Sequence, residues 1–260
     1  MRVALIADVH ANLPALEAVL AHAKDQGVSK VWNLGDAVGY GAFPDEVVAL
    51  LRKADVLSII GNYDLKVLEF KEKGKKWQKK KHPEKYLAFE WTYQHLSKKS
   101  RQYLRFLSQE LRLKVKGKRI LLTHGSPTSN EEPLGPETPE ERLRELAKSA
   151  KADVIICGHS HQPLARQVGG VWFINPGSVG RPDDGDPRAS YAVLEITADA
   201  LSVEHFRVGY DVQAAATAIR QQQLPETFAQ MVLQGRSLDG LTGVEGESDA
   251  SLVPAEAPSL

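Results

Sequence analysis

Residues 31–41 have the sequence VWNLGDAVGYG, and this stretch decides the fold. Its apolar beginning predicts a short strand, and its glycines predict a loop that leaves the sheet. Asp36 follows the strand, at the position where open α/β sheets bind their ligands. An aspartate in a glycine-rich turn is by itself most often a turn residue, so the rest of the chain decides what it does.

Four other short apolar runs also end at side chains that are able to bind a metal ion. The runs are residues 2–7, 56–60, 119–123 and 153–157, and the side chains that follow them are Asp8 and His10, Asn62, His124, and His159 and His161. Because the carboxyl ends of parallel strands lie together, five such endings predict one shared site rather than five unrelated turns.

The order of the predicted elements indicates the fold class. A strand, a helix that ends at Gly27, a strand over 30–34, a helix over 44–54 and a third strand favour a parallel sheet with crossover helices. The second half is richer in hairpins, for example at Gly169-Gly170. We therefore predict an α/β fold, a four-layer αββα sandwich of two mixed sheets with outer helices.

Three further segments complete the predicted organisation. Residues 1–235 form one domain, within which 64–110 is a helical insertion of two helices near the site. A capping box at Thr138–Glu141 begins a helix that runs to about Ala150. Residues 236–260 are small, polar and acidic, which predicts a disordered tail.

Composition excludes several classes of protein. The 260 residues contain 33 Lys and Arg and 33 Asp and Glu, so no net charge steers partners globally. The single cysteine, Cys157, excludes an internal disulfide and fits a reducing compartment. No apolar run reaches the roughly 18 residues of a membrane span, and a strand stands where a signal peptide would be. We expect a cytoplasmic protein that does not enter a membrane.

The segment Lys71–Lys85 is locally basic, with eight lysines and two glutamates. One interpretation is a solvated helix face or loop. The other is an electrostatic patch for a phosphate-rich partner such as a nucleotide or nucleic acid, with Trp77 and Tyr86 stacking on bases. The sequence leaves both open.

The residue types at the strand ends suit metal-dependent phosphate chemistry. They supply three oxygen ligands and four imidazoles, which are too many for one catalytic ion and suitable for two. Asp36 is the natural bridge, because a carboxylate has two oxygens. Two such ions clamp a phosphoryl group and turn a bridging water into hydroxide at neutral pH. The expected cofactors are two divalent transition-metal ions per chain, with manganese first and iron, nickel, cobalt or zinc as alternatives.

The ordered motifs resemble the calcineurin-like metallophosphoesterase superfamily. They are Asp8-Val9-His10, Gly35-Asp36, Gly61-Asn62-Tyr63-Asp64, His124-Gly125 and Gly158-His159-Ser160-His161. Asn175-Pro176-Gly177-Ser178 further resembles the bacterial YfcE-like phosphodiesterase branch. The resemblance implies an αββα sandwich in which Asp8, His10, Asp36 and His161 hold one metal ion. It implies that Asp36, Asn62, His124 and His159 hold the other.

The chain departs from the family pattern at Tyr63, where many members carry a histidine that protonates the leaving oxygen. A phenol also donates a proton, although it holds the proton more tightly. The catalytic residues expected from the resemblance are Asp36, Asn62, Tyr63 and His124. Phosphodiesters are the expected substrates, with phosphomonoesters as the alternative.

Two interpretations stay open beside this expectation. One is a metal-binding interaction scaffold without catalysis, as in the retromer subunit built on the same fold. The other concerns Arg181, which either grips a phosphate or belongs to a surface loop that pairs its own charges around 183–186.

Overall fold

The computed structural model describes residues 1–243, which form two five-stranded sheets with helices packed outside them. The strands of this part of the chain are β1 (Arg2–Ile6), β2 (Val31–Asn33), β3 (Leu57–Ser58), β4 (Glu110–Val115), β5 (Lys118–Thr123), β6 (Val154–Ile156), β7 (Leu164–Val168), β8 (Val171–Asn175), β9 (Ala189–Ile196) and β10 (Leu201–Val208). The helices are α1 (Leu13–Asp25), α2 (Pro44–Lys53), α3 (Asn62–Trp77), α4 (Pro83–His95), α5 (Lys98–Phe106), α6 (Glu140–Ala150), α7 (Val212–Gln221), α8 (Glu226–Gln234) and α9 (Leu238–Thr242). Within residues 1–243, no helix is both long and apolar enough to cross a bilayer.

Both sheets are mixed, which confirms the predicted fold class. The first sheet has the order β10-β9-β1-β2-β3, and the second has the order β4-β5-β6-β8-β7. In the first sheet β1, β2 and β3 are parallel, and β9 and β10 are added antiparallel to them. In the second sheet β5, β6 and β8 are parallel, and β4 and β7 pair antiparallel at the edges.

One core lies between the two sheets, and helices cover their outer faces, where the largest core packs against the first sheet. Successive side chains of β1 alternate between these layers: Leu5 packs against the other sheet, and Ile6 packs towards the helices. Ile156 and Ile155 of β6 alternate in the same way. Strands that are buried on both faces need apolar residues at every position, which explains the continuous apolar runs of the sequence. The polar side chains come where these runs end, at one edge of the sandwich.

The segment between the first and second sheets is helical, as predicted, but it forms three helices, α3, α4 and α5, rather than two. Helix α3 begins directly at Asn62 and contains the first half of the lysine-rich segment. The Trp77 ring packs within 5.8 Å of the Phe89 ring, and the Tyr86 ring within 5.4 Å of the Phe70 ring. Both rings therefore take part in the packing of the insertion, which argues against the base-stacking interpretation.

Two local predictions were wrong. Helix α6 begins at Glu140 with Pro139 at the cap, because the Thr138 hydroxyl instead accepts from the Gly135 N–H at 2.9 Å and closes the preceding turn. The predicted disordered tail begins too early: α9 is a formed helix whose Leu238 is buried. The remainder of that predicted tail, 244–260, lies outside the described residues.

Candidate metal centre

The loops that leave the strands have an unusual backbone. Five of the predicted ligands have a positive φ: Asp8 (55°), His10 (47°), Asp36 (54°), His159 (67°) and His161 (58°). This left-handed conformation is rare for residues other than glycine and is held only where the surrounding structure enforces it. It turns each side chain sharply away from its strand and into the space between the loops. Sequence reasoning did not foresee this strain.

Two buried carboxylates lie at the middle of the site. The Asp8 Oδ1 is 3.5 Å from the His161 Nε2 and 4.0 Å from the His10 Nε2. The Asp36 Oδ2 is 3.4 Å from the His124 Nε2 and 3.9 Å from the His10 Nε2. The sequence-predicted residues from both sheets are therefore brought together, with a carboxylate oxygen next to each group of imidazoles.

The second oxygen of each carboxylate is occupied by backbone. The Asp8 Oδ2 accepts from the His159 N–H at 2.9 Å, and the Asp36 Oδ1 accepts from the Tyr63 N–H at 2.8 Å. These bonds fix both carboxylates and leave one oxygen of each facing the imidazoles.

Backbone carbonyls orient three of the four imidazoles. The pairs are His124 Nδ1 with the Leu34 oxygen at 2.8 Å, His159 Nε2 with the Glu131 oxygen at 3.0 Å, and His161 Nδ1 with the Arg181 oxygen at 2.7 Å. A carbonyl only accepts, so the nitrogen beside it carries a hydrogen and the other ring nitrogen is the one that could bind a metal ion. This second set of contacts is typical of histidines that bind metal ions.

The polar atoms of the site fit a cation. The Nε2 atoms of His10 and His161 are 3.2 Å apart, so a hydrogen on the His10 Nε2 would point at the lone pair of the His161 Nε2. The Asp8 Oδ1 is buried and has no hydrogen-bond partner within residues 1–243. Lone pairs and an anionic oxygen that converge in a buried space are stabilised by a positive ion between them. Divalent metal ions therefore fit this donor set.

Donor atoms converge in two overlapping groups that share Asp8. Within each group, Asp8, His10 and His161 or Asp8, Asp36 and His124, the donor atoms lie within 4.8 Å of one another. Asn62 extends the second group, since its Oδ1 is 3.1 Å from the His124 Nε2. His159 stands further out, with its ring 5.1 Å from that of His124.

The electrostatics of His124 also indicate a cation site. Burial lowers its pKa, but the carboxylates of Asp36 and Asp8 more than compensate and raise the pKa to about 9. On the other side of the site, burial and then the charge of Arg181 lower the pKa of His10 to about 3. The imidazole of His124 thus lies where positive charge is favoured, and that of His10 is held neutral, with one ring nitrogen free to bind a cation.

The Gly61–Asp64 turn places Asn62 and Tyr63 against Asp36. A side chain at Gly61 would place a Cβ 2.0 Å from the Asp36 Oδ1, so only glycine fits there. The Asp64 carboxylate accepts from the backbone N–H groups of Gly61 at 3.0 Å and Val38 at 3.1 Å, and so supports this turn. Burial and the neighbouring Asp36 raise the pKa of Asp64 to about 7.

Tyr63 belongs to a pair of phenols that sequence reasoning missed. Its hydroxyl is 2.7 Å from that of Tyr40, and its ring meets the His10 ring edge-on at 5.4 Å. Tyr40 lies between Gly39 and Gly41 in the loop that follows Asp36, and this position is the sequence feature that could have placed it near the site.

The segment after β8 supports the ligand loops from behind. The Asn175 amide donates to the Gly158 oxygen at 2.7 Å, and the Ser178 hydroxyl donates to the Asp8 oxygen at 2.8 Å. Through these contacts Asn175 and Ser178 of the Asn-Pro-Gly-Ser motif hold the backbone of the two ligand loops in place. The histidines that we had not assigned to the site, His22, His82, His95 and His205, bond elsewhere.

Comparison with known proteins agrees with this geometry. The model of the calcineurin-like phosphoesterase superfamily domain matches residues 1–199. An uncharacterised protein of Methanocaldococcus jannaschii is 34% identical over 253 residues, which are 90% of this chain and 98% of that protein. The phosphodiesterase YfcE of Escherichia coli K12 is 29% identical over 217 residues, 78% of this chain and 91% of that enzyme. The crystal structure of a metallophosphoesterase from Sphaerobacter thermophilus is 32% identical, with a TM-score of 0.74 over 90% of this chain and 99% of that chain.

Proposed function

Because this chain belongs to the calcineurin-like phosphoesterase superfamily, it is a metal-dependent hydrolase of phosphoric esters, and we propose that its substrates are phosphodiesters. The observation that most supports metal-dependent hydrolysis is the pair of buried donor groups that share Asp8, at the edge of both sheets. The similarity to an Escherichia coli protein named as a phosphodiesterase supports the choice of diesters.

We assign the ligands as the resemblance implies. Asp8, His10, Asp36 and His161 would hold one ion, and Asp36, Asn62, His124 and His159 would hold the other. Two divalent ions held there would polarise a phosphate ester and lower the pKa of a water molecule. Mixed oxygen and nitrogen donors suit manganese, which we propose as the resident ion. The buried free thiol of Cys157 supports a reducing compartment such as the cytoplasm.

The phenol pair gives the chain a donor for the leaving group. In two hydrogen-bonded phenols, one hydrogen makes the bond between the hydroxyls and the other donates outward. Burial and then the adjacent Tyr63 raise the pKa of Tyr40 well above its ordinary value, so the pair stays protonated at neutral pH. We propose that this pair, through Tyr63, donates to the departing ester oxygen in place of the histidine that is common in the family.

Metal analysis and a substrate comparison test these assignments. The protein is purified with manganese, and its hydrolysis of bis-p-nitrophenyl phosphate is compared with that of p-nitrophenyl phosphate. We expect two ions per chain and faster turnover of the diester. Preference for the monoester would refute the diester proposal, and two bound ions without any turnover would indicate a binding scaffold instead.

We also propose that the segment Lys71–Lys85 attracts polyanionic substrates such as nucleotides or nucleic acid. Lys75, Lys76, Lys79 and Lys80 are exposed and line one shallow surface depression. Replacing these four by glutamine should weaken the binding of a single-stranded oligonucleotide and flatten its dependence on salt, while kcat for a small diester stays the same. An unchanged salt slope would leave only the solvated helix interpretation.

A further inference from the structure

Arg181 is a half-buried cation beside the candidate metal centre. Its guanidinium carbon lies 4.8 Å from the centre of the Tyr40 ring, and its Nε is fully enclosed. Throughout residues 1–243, no hydrogen bond or ion pair of this guanidinium is found. Of the five N–H donors of this guanidinium the Nε donor is the enclosed one, and enclosed donors in folded proteins are almost always paired. An acceptor that is not part of the chain would supply the hydrogen-bond partner that this guanidinium lacks.

The charges around Arg181 indicate what kind of acceptor that is. Its guanidinium lies over the Tyr40 ring, and that ring meets the His10 ring edge-on at 5.8 Å. A divalent ion at His10 and its neighbours would therefore lie close to a second positive group. Like charges in a buried site repel each other strongly, and an anion placed between them removes the repulsion. The structure thus favours an anion between the guanidinium and the metal centre.

We propose that Arg181 is a substrate-binding residue whose guanidinium binds the non-bridging oxygens of the substrate phosphate. This inference rests on the proposed function. A guanidinium binds two oxygens of a tetrahedral oxyanion through parallel hydrogen bonds, which an ammonium cannot do. Stacking on Tyr40 fixes the plane of the group before the substrate arrives, and this reduces the entropy lost on binding.

The backbone of Arg181 has a separate role that a substitution leaves intact. Its carbonyl oxygen accepts from the His161 Nδ1 at 2.7 Å, and its N–H donates to the Ser178 hydroxyl at 2.9 Å. Changing the side chain therefore removes the charge without removing the contact that orients the imidazole.

Arg188 provides a matched control in the same loop. It has the same charge, but it is exposed and its guanidinium is paired with Asp186 at 2.6 Å. Arg188→Gln removes one positive charge from this region without changing the proposed site. A loss that is specific to Arg181 then reports direct contact rather than general electrostatic attraction.

The test is calorimetric titration of inorganic phosphate into manganese-loaded wild type, Arg181→Gln, Arg181→Lys and Arg188→Gln, with metal content and Tm measured on the same samples. We expect Arg181→Gln to bind phosphate at least about tenfold more weakly, because it loses charge-assisted hydrogen bonds. Arg181→Lys should fall between, and Arg188→Gln should match the wild type. The KM for bis-p-nitrophenyl phosphate should rise in the same order.

Phosphate affinity within twofold of the wild type in Arg181→Gln, with full metal content, would overturn the proposal. An equal loss in Arg188→Gln would also overturn it. If Arg181→Gln loses metal, Arg181→Lys decides, because it keeps the aliphatic stem over Tyr40, and unchanged phosphate affinity there refutes the bidentate contact. A wild type that hydrolyses no ester would refute the proposed function, while the phosphate titration still decides about Arg181.

Discussion

Gly180→Ala should disable the site without touching any predicted ligand. A Cβ at this position would lie 1.8 Å from the Val9 carbonyl oxygen and 2.8 Å from the Asn12 Cβ. Val9 stands between Asp8 and His10, in the loop with left-handed backbone. Contacts below 3.0 Å are essentially never seen for a real Cβ, so the two segments must separate by more than an ångström.

The expected magnitude follows from that displacement. Extra atoms in a close-packed region cost about 1–3 kcal/mol, which corresponds to a fall in Tm of roughly 3–10 °C for a chain of this size. Separation also weakens two bonds, the Gly180 N–H to the Asp8 oxygen at 3.1 Å and the Asn12 amide to the Gly180 oxygen at 2.9 Å. A misplacement of about 1 Å at reacting groups costs on the order of 10²-fold in rate.

Thermal unfolding, metal content and kcat/KM for a diester measure the effect. The matched control is Gly209→Ala, because a Cβ there meets nothing within 4 Å and its φ is not in the left-handed region. We expect the control to resemble the wild type in all three measurements. A Gly180→Ala protein with unchanged Tm and kcat/KM would refute the idea that this close approach positions the ligand loop.

Asp36→Asn should abolish turnover and reduce bound metal below two ions per chain, as measured by elemental analysis. The control is Asp199→Asn, which changes an exposed aspartate. Two retained ions and a near-normal rate in Asp36→Asn would exclude Asp36 as the shared ligand. Tyr63→Phe should slow esters with poor leaving groups by about 10²–10³-fold and p-nitrophenyl esters less; an equal rate across a leaving-group series would make Tyr63 a packing residue. Glu132→Gln removes a carboxylate whose pKa is lowered first by the hydrogen bond from Arg142 at 2.7 Å. The pKa of Glu132 is lower in the folded protein than in the unfolded chain, so its stabilising contribution is present above pH 4.5 and is lost as the pH falls through the folded pKa. We expect the variant to lose under about 1 kcal/mol of unfolding free energy at pH 7, because the ion pair is partly exposed, and to match the wild type at low pH. Urea unfolding of both proteins at pH 3 and pH 7 measures this, and an equal difference in unfolding free energy at the two pH values would contradict the assignment.

The fold could be predicted because apolar runs and turn residues are local signals. Continuous apolar segments such as 153–157 are what a strand buried on both faces requires, and each is followed by a candidate metal ligand. The capping box at Thr138 does not form, because the Thr138 hydroxyl accepts from the Gly135 N–H and closes the preceding turn instead. Local patterns of this kind compete, and only the folded chain decides which one forms.

The candidate site was predicted in its residue types but not in its detail. Nothing in the sequence distinguishes a left-handed Asp36 from an ordinary one, since aspartate accepts either backbone. Tyr40 lies 23 positions from Tyr63, and their contact depends on the path of two loops. Among the described residues Arg181 has no ion-pair partner, since the nearby loop carboxylates of Asp186 and Asp184 pair with Arg188 and Arg207. These are properties of packing, which no spacing rule encodes.

The pairing of β1 with β9 has a consequence for synthesis on the ribosome. Leu5 pairs with Ala192, so one side of the middle strand of the first sheet stays uncovered until 192 of the 260 residues have been synthesised. At about 5–20 residues per second, that edge stays open for on the order of 10–40 s. An open apolar strand edge is a template for pairing with other chains. The β1 edge of the nascent protein is therefore exposed until β9 emerges, and a truncation that ends before Ala189 would leave this edge exposed permanently.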